Sequence, residues 1–179
     1  MGFLERLFPK KEVLLDPISP GLLINDIHSH LIPGIDDGSP DMKTTINLLE
    51  KFIELGYSKV ITTPHIMSDY YKNTPEIINQ GLEDVKNEIV KRNLKIAVEA
   101  AAEYNLEPEF EKLIANNNIL TFGKKQYVLF ELSFFDEPPR INDVIWLMRE
   151  KGYCPVLAHV ERYAYWHQNQ DKIEEIINR

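Results

Sequence analysis

Asp26-Ile27-His28-Ser29-His30 runs straight into Leu31-Ile32-Pro33-Gly34-Ile35-Asp36-Asp37-Gly38. Alternate residues of a β-strand point the same way, so in an extended segment His28 and His30 aim two imidazoles at one point. Imidazole is the commonest side-chain ligand for divalent transition ions, which makes the pair a candidate chelate. The apolar run Leu22-Leu23-Ile24 just before it reads as the start of a buried strand. An isolated His-x-His is also compatible with surface or hydrogen-bonded histidines, so the rest of the chain must decide.

Downstream the pattern alternates. Ser39 is a good N-cap and Pro40 suits a first helical position, and Met42, Ile46, Leu49, Phe52 and Ile53 follow at helical spacing until Gly56. Lys59 to Thr63 reads as a strand, and Thr74-Pro75-Glu76 opens a second helix carrying Ile77, Ile78, Leu82, Val85 and Ile89. Leu94 to Ala102 is a further strand, Pro108 to Asn116 a short helix, and Tyr127 to Phe130 a continuous apolar strand. Ile141 to Lys151 is a helix, Pro155 to Ala158 a strand, and a last helix runs to Arg179. Five βα units with nearly all-apolar strands predict an α/β fold with a parallel sheet covered by helices, either open and doubly wound or closed into a barrel.

In both architectures ligands bind at the carboxyl ends of the strands. Polar residues of unusual type follow each apolar run here: Asp26, His28, His30, Asp36 and Asp37, then His65, then Glu103, then Glu131, then His159, Glu161 and Arg162. Four of the five histidines fall on this one rim. Neutral imidazoles mixed with carboxylates, without thiolates, suit Mn, Fe or Zn. Several carboxylates on one rim repel one another unless cations intervene. Two or three ions a few ångströms apart would meet that need and activate water for in-line attack on phosphorus. Arg162 can then grip two phosphate oxygens at once, the competing reading being a surface salt bridge with Glu161.

Composition narrows the function classes. The 179 residues are 44% hydrophobic, enough for one domain with a sizeable core. A net charge of -8 and no basic stripe argue against nucleic acid as a partner, although bound cations still allow a phosphate monoester. The single cysteine, Cys154, excludes an internal disulfide and reads as core. No stretch is long and apolar enough for a transmembrane segment, and the opening residues lack a secretory signal, which together point to the cytoplasm. Residues 1–21 read as a loosely packed N-terminal arm and residues 22–179 as the domain.

The segments Asp26 to His30, Ile35 to Gly38, Thr63-Pro64-His65, Ala102-Glu103-Tyr104, Phe130 to Ser133 and Ala158 to Tyr163 together resemble the bacterial protein-tyrosine phosphatases of the polymerase and histidinol phosphatase (PHP) superfamily. The resemblance implies a distorted (β/α)7 TIM-like barrel and a metal-dependent phosphotyrosine phosphatase of capsular and exopolysaccharide synthesis. It implies two to three divalent ions, commonly Mn2+ and alternatively Fe, Zn or Mg. It makes His28, His30, Asp37, His65, Glu103, Glu131 and His159 the metal ligands and Arg162 the catalytic residue, with water activated by the metals as nucleophile. Asp36 does not correspond to a family ligand. Asp26 and Glu161 are read as supporting residues behind the ligands. The implied partner is the phosphorylated, tyrosine-rich tail of a tyrosine kinase. The residues leave the oligomeric state open, a homo-oligomer included.

The resemblance departs at one point. A D-x-H motif that closes the family site is absent after Arg162. Five βα units also fall short of the seven or eight strands of a closed barrel, so the chain reads as truncated at its C-terminus. Tyr70 and Tyr163 are candidate substrate contacts, within a wider aromatic set of Tyr71, Phe134, Phe135, Tyr165 and Trp166 that could equally be packing. The alternatives to the phosphotyrosine reading are a phosphatase of a small metabolite such as histidinol phosphate, or a non-catalytic scaffold.

Overall fold

A computed structural model describes residues 23–167 and 169–177. The proposed arm at residues 1–21 and the chain's last two residues lie outside them. The apolar runs become parallel strands whose order in space follows their order along the chain. β1 (Asn25–Ser29), β2 (Lys59–Thr62) and β4 (Ala97–Ala100) form one sheet in the order β1-β2-β4. β3 (His65–Ile66), β5 (Glu103–Asn105), β6 (Tyr127–Glu131) and β7 (Cys154–Leu157) form a second in the order β3-β5-β6-β7. The helices α1 (Met42–Glu54), α2 (Pro75–Arg92), α3 (Pro108–Ala115), α4 (Ile141–Glu150) and α5 (Gln170–Ile177) lie between and after them. No helix among the described residues is long and apolar enough to cross a membrane.

Two of the expected strands are each split. Lys59 to Thr63 continues past Pro64 as β3, because proline has no N–H to give the ladder. Of Leu94 to Ala102 only Ala97–Ala100 is strand, β4; the ladder breaks at Ala101-Ala102 and resumes beyond the expected end as β5, with β4 and β5 pairing with β2 and β3 respectively. The backbone stays bonded across both breaks, with Ala101 N donating to Thr62 O at 2.9 Å and Glu103 N to Pro64 O at 3.0 Å. The result is five consecutive parallel βα units without the reversal of strand order that marks a doubly wound sheet. Among the described residues no ladder joins β7 back to β1, so the array is open and a closed barrel is not seen. A cleft of about 420 Å3 is lined by residues of β1, β2, β6 and β7, Ile27 and Val156 among them.

Three local expectations are corrected. Leu23 and Ile24 are exposed, since the strand starts at Asn25 on the sheet edge. The N-cap of α1 is Asp41, whose carboxylate accepts from Thr44 N at 2.7 Å. Ser39 is instead buried and gives its hydroxyl proton to Asp41 O at 3.0 Å, leaving Pro40 outside the helix. Cys154 is only partly buried, because β7 is the other edge strand. Thr74 caps α2 and Pro75 opens it, in line with the sequence. The main core packs Phe110, Val128, Phe130, Ile145 and Met148 between α3, α4 and the β5-β6 ladder, and a second cluster packs Leu49, Val60, Val85 and Val98 under α1 and α2.

Candidate metal centre

Each rim residue sits where a strand ends or breaks. β1 carries His28, with His30 just beyond it; His65 and Glu103 begin the short strands β3 and β5; Glu131 ends β6; His159 lies two residues past β7. The chain's exit at His30 is fixed by the buried Thr62, whose hydroxyl donates to Ser29 O at 2.9 Å and accepts from Leu31 N at 2.8 Å. Gly38 then lets the acidic loop fold back, since a Cβ there would collide with the Cβ and carbonyl oxygen of His30. His159 has φ of 31°, a left-handed conformation that costs energy for any residue but glycine. Arg162 N donating to His159 O at 2.8 Å helps to hold it there.

Glu103 is the centre of the arrangement and is only 1% exposed. Its carboxylate lies 3.2 Å from His28 Nε2, 3.3 Å from His30 Nε2, 3.4 Å from His65 Nδ1 and 2.9 Å from His159 Nε2. Glu131, 3% exposed, adds a second buried carboxylate 3.1 Å from His65 Nδ1 and 3.5 Å from His159 Nε2. The exposed Asp37 reaches His30 Nδ1 at 3.8 Å and His65 Nε2 at 3.6 Å. Three overlapping donor sets result, His28-His30-Glu103, His30-Asp37-His65 and His65-Glu103-Glu131, with the donor atoms of each set within 4.8 Å of one another.

Burial alone would neutralise Glu103, yet hydrogen bonds with His159, His28 and His30 outweigh it and hold the carboxyl far below its usual range. Burial likewise disfavours a charged His30, but Asp36 and Glu103 overcome it and lift the imidazole to about 9. His65 is also raised, because contacts with Glu131 and Glu103 outweigh its desolvation. His30 and His65 thus hold their protons more tightly, offsetting the acidic cluster. A divalent cation meets the same need, and a set of imidazole nitrogens and carboxylate oxygens suits it. His65 Nδ1, among the Glu103 and Glu131 carboxylates, is buried without an aligned hydrogen-bond partner, and an unpartnered nitrogen in such a place fits a cation site.

The supporting residues differ from the sequence reading. Asp36 is the principal orienter: its carboxylate accepts from His30 Nδ1 at 2.8 Å, His65 N at 3.0 Å and Gly38 N at 3.0 Å. Asp26 lies on the strand face of His28, with Oδ2 buried and unpartnered and burial raising its pKa. Glu161 is exposed, and among the described residues no ion pair joins it to Arg162. The Arg162 guanidinium instead lies 4.3 Å above the ring of Phe134. Tyr70 is 80% exposed, and it is Tyr71 that stacks on His65 with ring centroids 5.3 Å apart. Tyr163 is fully buried, so no direct substrate contact is open to it; its hydroxyl donates to Ala158 O and accepts from Leu132 N. Trp166 is equally buried and packs. Asn73, which the sequence did not flag, ties the loops by donating to Ile35 O and His65 O.

Residues 24–179 match the family described as "Capsular polysaccharide synthesis, CpsB/CapC". The chain belongs to the CpsB/CapC family. The tyrosine-protein phosphatase YwqE of Bacillus subtilis is 27% identical over 86% of this chain and 61% of its own length. The tyrosine-protein phosphatase CpsB of Streptococcus pneumoniae is 30% identical over 86% of this chain and 63% of its own. A solved structure from work on these two proteins, called there "unique metal-dependent tyrosine phosphatases", superposes with a TM-score of 0.79 at 27% identity, covering 86% of this chain and 62% of that one. This CpsB/CapC chain thus spans about three-fifths of the length of the relatives it matches.

Proposed function

We propose that this CpsB/CapC domain, residues 22–179, is a metal-dependent phosphomonoesterase acting on phosphotyrosine. The observation that carries the reading is the convergence of four imidazoles on the buried Glu103 carboxylate at the ends of successive parallel strands. Family membership supports the same class of reaction, since the relatives are named tyrosine-protein phosphatases.

His28, His30, Asp37, His65, Glu103, Glu131 and His159 would hold two or three divalent ions, with Mn2+ well suited to a mixed nitrogen and oxygen donor set. Bound there, such ions would activate water for in-line attack and offset the charge of the phosphate. The protein's own residues do the rest. Glu103 and Glu131, buried on the cluster floor, fix the spacing of the imidazoles. Asp36 keeps a proton on His30 Nδ1, which leaves Nε2 as the ligating nitrogen. Arg162 binds non-bridging phosphate oxygens through its guanidinium fork and stabilises the charge that grows on them during transfer.

The substrate fitting this account is a phosphotyrosine on an exposed, flexible segment, such as the tail of a tyrosine kinase of capsule or exopolysaccharide synthesis in the cytoplasm. The test is phosphate release from a tyrosyl phosphopeptide and from histidinol phosphate, with manganese and with chelator. Manganese-dependent release from the peptide supports the reading. Release from histidinol phosphate alone moves the function to metabolites, and release from neither leaves a binding scaffold.

A further inference from the structure

We propose that Phe134 is the positioning residue for Arg162: its ring face, in place of a carboxylate, holds the exposed guanidinium with the N–H groups left for phosphate. The inference rests on the reading of Arg162 as the phosphate-gripping residue and deepens it. The guanidinium carbon lies 4.3 Å from the centroid of the Phe134 ring, well within cation–π range. Among the described residues Arg162, like Arg149, makes no ion pair, whereas Arg92 pairs with Glu88 at 2.6 Å and Arg140 with Glu111 at 3.0 Å. That difference is chemical as well as geometric. A carboxylate would occupy the same planar fork that recognises a phosphate and cancel its charge. An aromatic face attracts the cation from below and leaves the in-plane donors unused.

Phe134, itself partly exposed, rests on two neighbouring rings. Its ring stacks on Tyr163 with centroids 5.9 Å apart and 23° between planes, and it lies 5.6 Å from the ring of His159. Tyr163 is fully buried, and its hydroxyl bridges Leu132 N at 3.0 Å and Ala158 O at 3.1 Å. The guanidinium thus stands one ring away from an imidazole in contact with Glu103. The neighbouring Phe135 is 96% exposed, while Phe134 is 39% exposed, so only one of the two phenylalanines is built into the site.

The test uses the manganese-loaded chain and inorganic phosphate as the probe, with phosphate affinity measured by calorimetry and the Arg162 Nε–Hε resonance by NMR. Phe134→Leu should weaken phosphate binding roughly three- to fivefold, the size of a partly exposed cation–π contact. It should also move the Nε–Hε resonance downfield, out of the ring's shielding, while metal content stays unchanged. Phe134→Trp should restore both readings. Parent-like phosphate affinity and resonance in Phe134→Leu overturn the proposal, even where Arg162→Ala abolishes phosphate binding. If Phe134→Leu does not fold, weaker phosphate binding in a folded Phe134→Trp overturns it. Undiminished phosphate binding in Arg162→Ala removes the phosphate reading of Arg162 itself, and the proposal with it.

Discussion

Asp36→Asn should damage the metal centre although Asp36 is not itself expected to touch an ion. One carboxylate oxygen accepts from both His30 Nδ1 and His65 N, at 2.8 Å and 3.0 Å, and the other accepts from Gly38 N at 3.0 Å. An amide has only one acceptor oxygen. With that oxygen on Gly38 N, the amide N–H faces the His65 N–H and donates to His30 Nδ1. The His30 proton is then displaced to Nε2, the nitrogen that faces Glu103. With the amide turned the other way, its N–H confronts Gly38 N–H. Either orientation breaks a buried hydrogen bond, and the first puts the imidazole in the wrong tautomer for a ligand. Losses of this kind weaken metal binding about 10- to 100-fold, or roughly 1.4 to 2.7 kcal/mol. The assay is manganese titration against a competing fluorescent chelator, with Asp41→Asn as control, because asparagine caps a helix as well as aspartate does. Manganese affinity in Asp36→Asn within twofold of the parent would refute the orienting role.

In the metal-free protein His30 titrates near 9 against an ordinary value of 6.5, so its contribution to stability is full below 6.5 and is lost as pH rises through 9. Denaturant melts of the metal-free chain should therefore lose up to about 3 kcal/mol across that window, and an increase in stability would contradict the assignment. The same proton must leave His30 Nε2 when an ion binds, so calorimetry at pH 7 in buffers of differing ionisation enthalpy should report net proton release; a buffer-independent heat would count against it. Arg162→Ala is expected to cut turnover about 100- to 1000-fold at unchanged metal content, whereas loss of metal would show that its role is misassigned. Tyr163→Phe removes a buried donor and an acceptor, and should lower stability by about 1–3 kcal/mol with the KM for substrate unaltered; a raised KM at parent stability would restore it as a substrate contact.

The candidate ligands were legible because strand alternation and the run of βα units are short-range signals. His28 and His30 are two apart on one strand, and His65, Glu103, Glu131 and His159 each follow an apolar run. Local backbone detail was less legible. Ser39 has the chemistry of an N-cap, but its burial and the carboxylate of Asp41 shift the helix start by two residues. The breaks at Pro64 and at Ala101-Ala102 depend on which neighbour each half-strand pairs with, which no local pattern records. Asp36 and Asp37 are indistinguishable by residue type, and only the loop's fold over Gly38 buries one and exposes the other. Tyr70 and Tyr71 present the same difficulty, since adjacent loop residues point in directions that only packing decides. Phe134 carried a weak aromatic signal, while its contact with Arg162 joins two loops far apart along the chain.

The central claim is that the cluster around Glu103 is a divalent-cation site, and anomalous diffraction from manganese-soaked crystals tests it most directly. The account predicts at least two anomalous peaks, each about 2.0–2.3 Å from nitrogen or oxygen atoms of the set His28, His30, Asp37, His65, Glu103, Glu131 and His159. Peaks confined to surface carboxylates elsewhere, or none at all with manganese in large excess in the mother liquor, would contradict it.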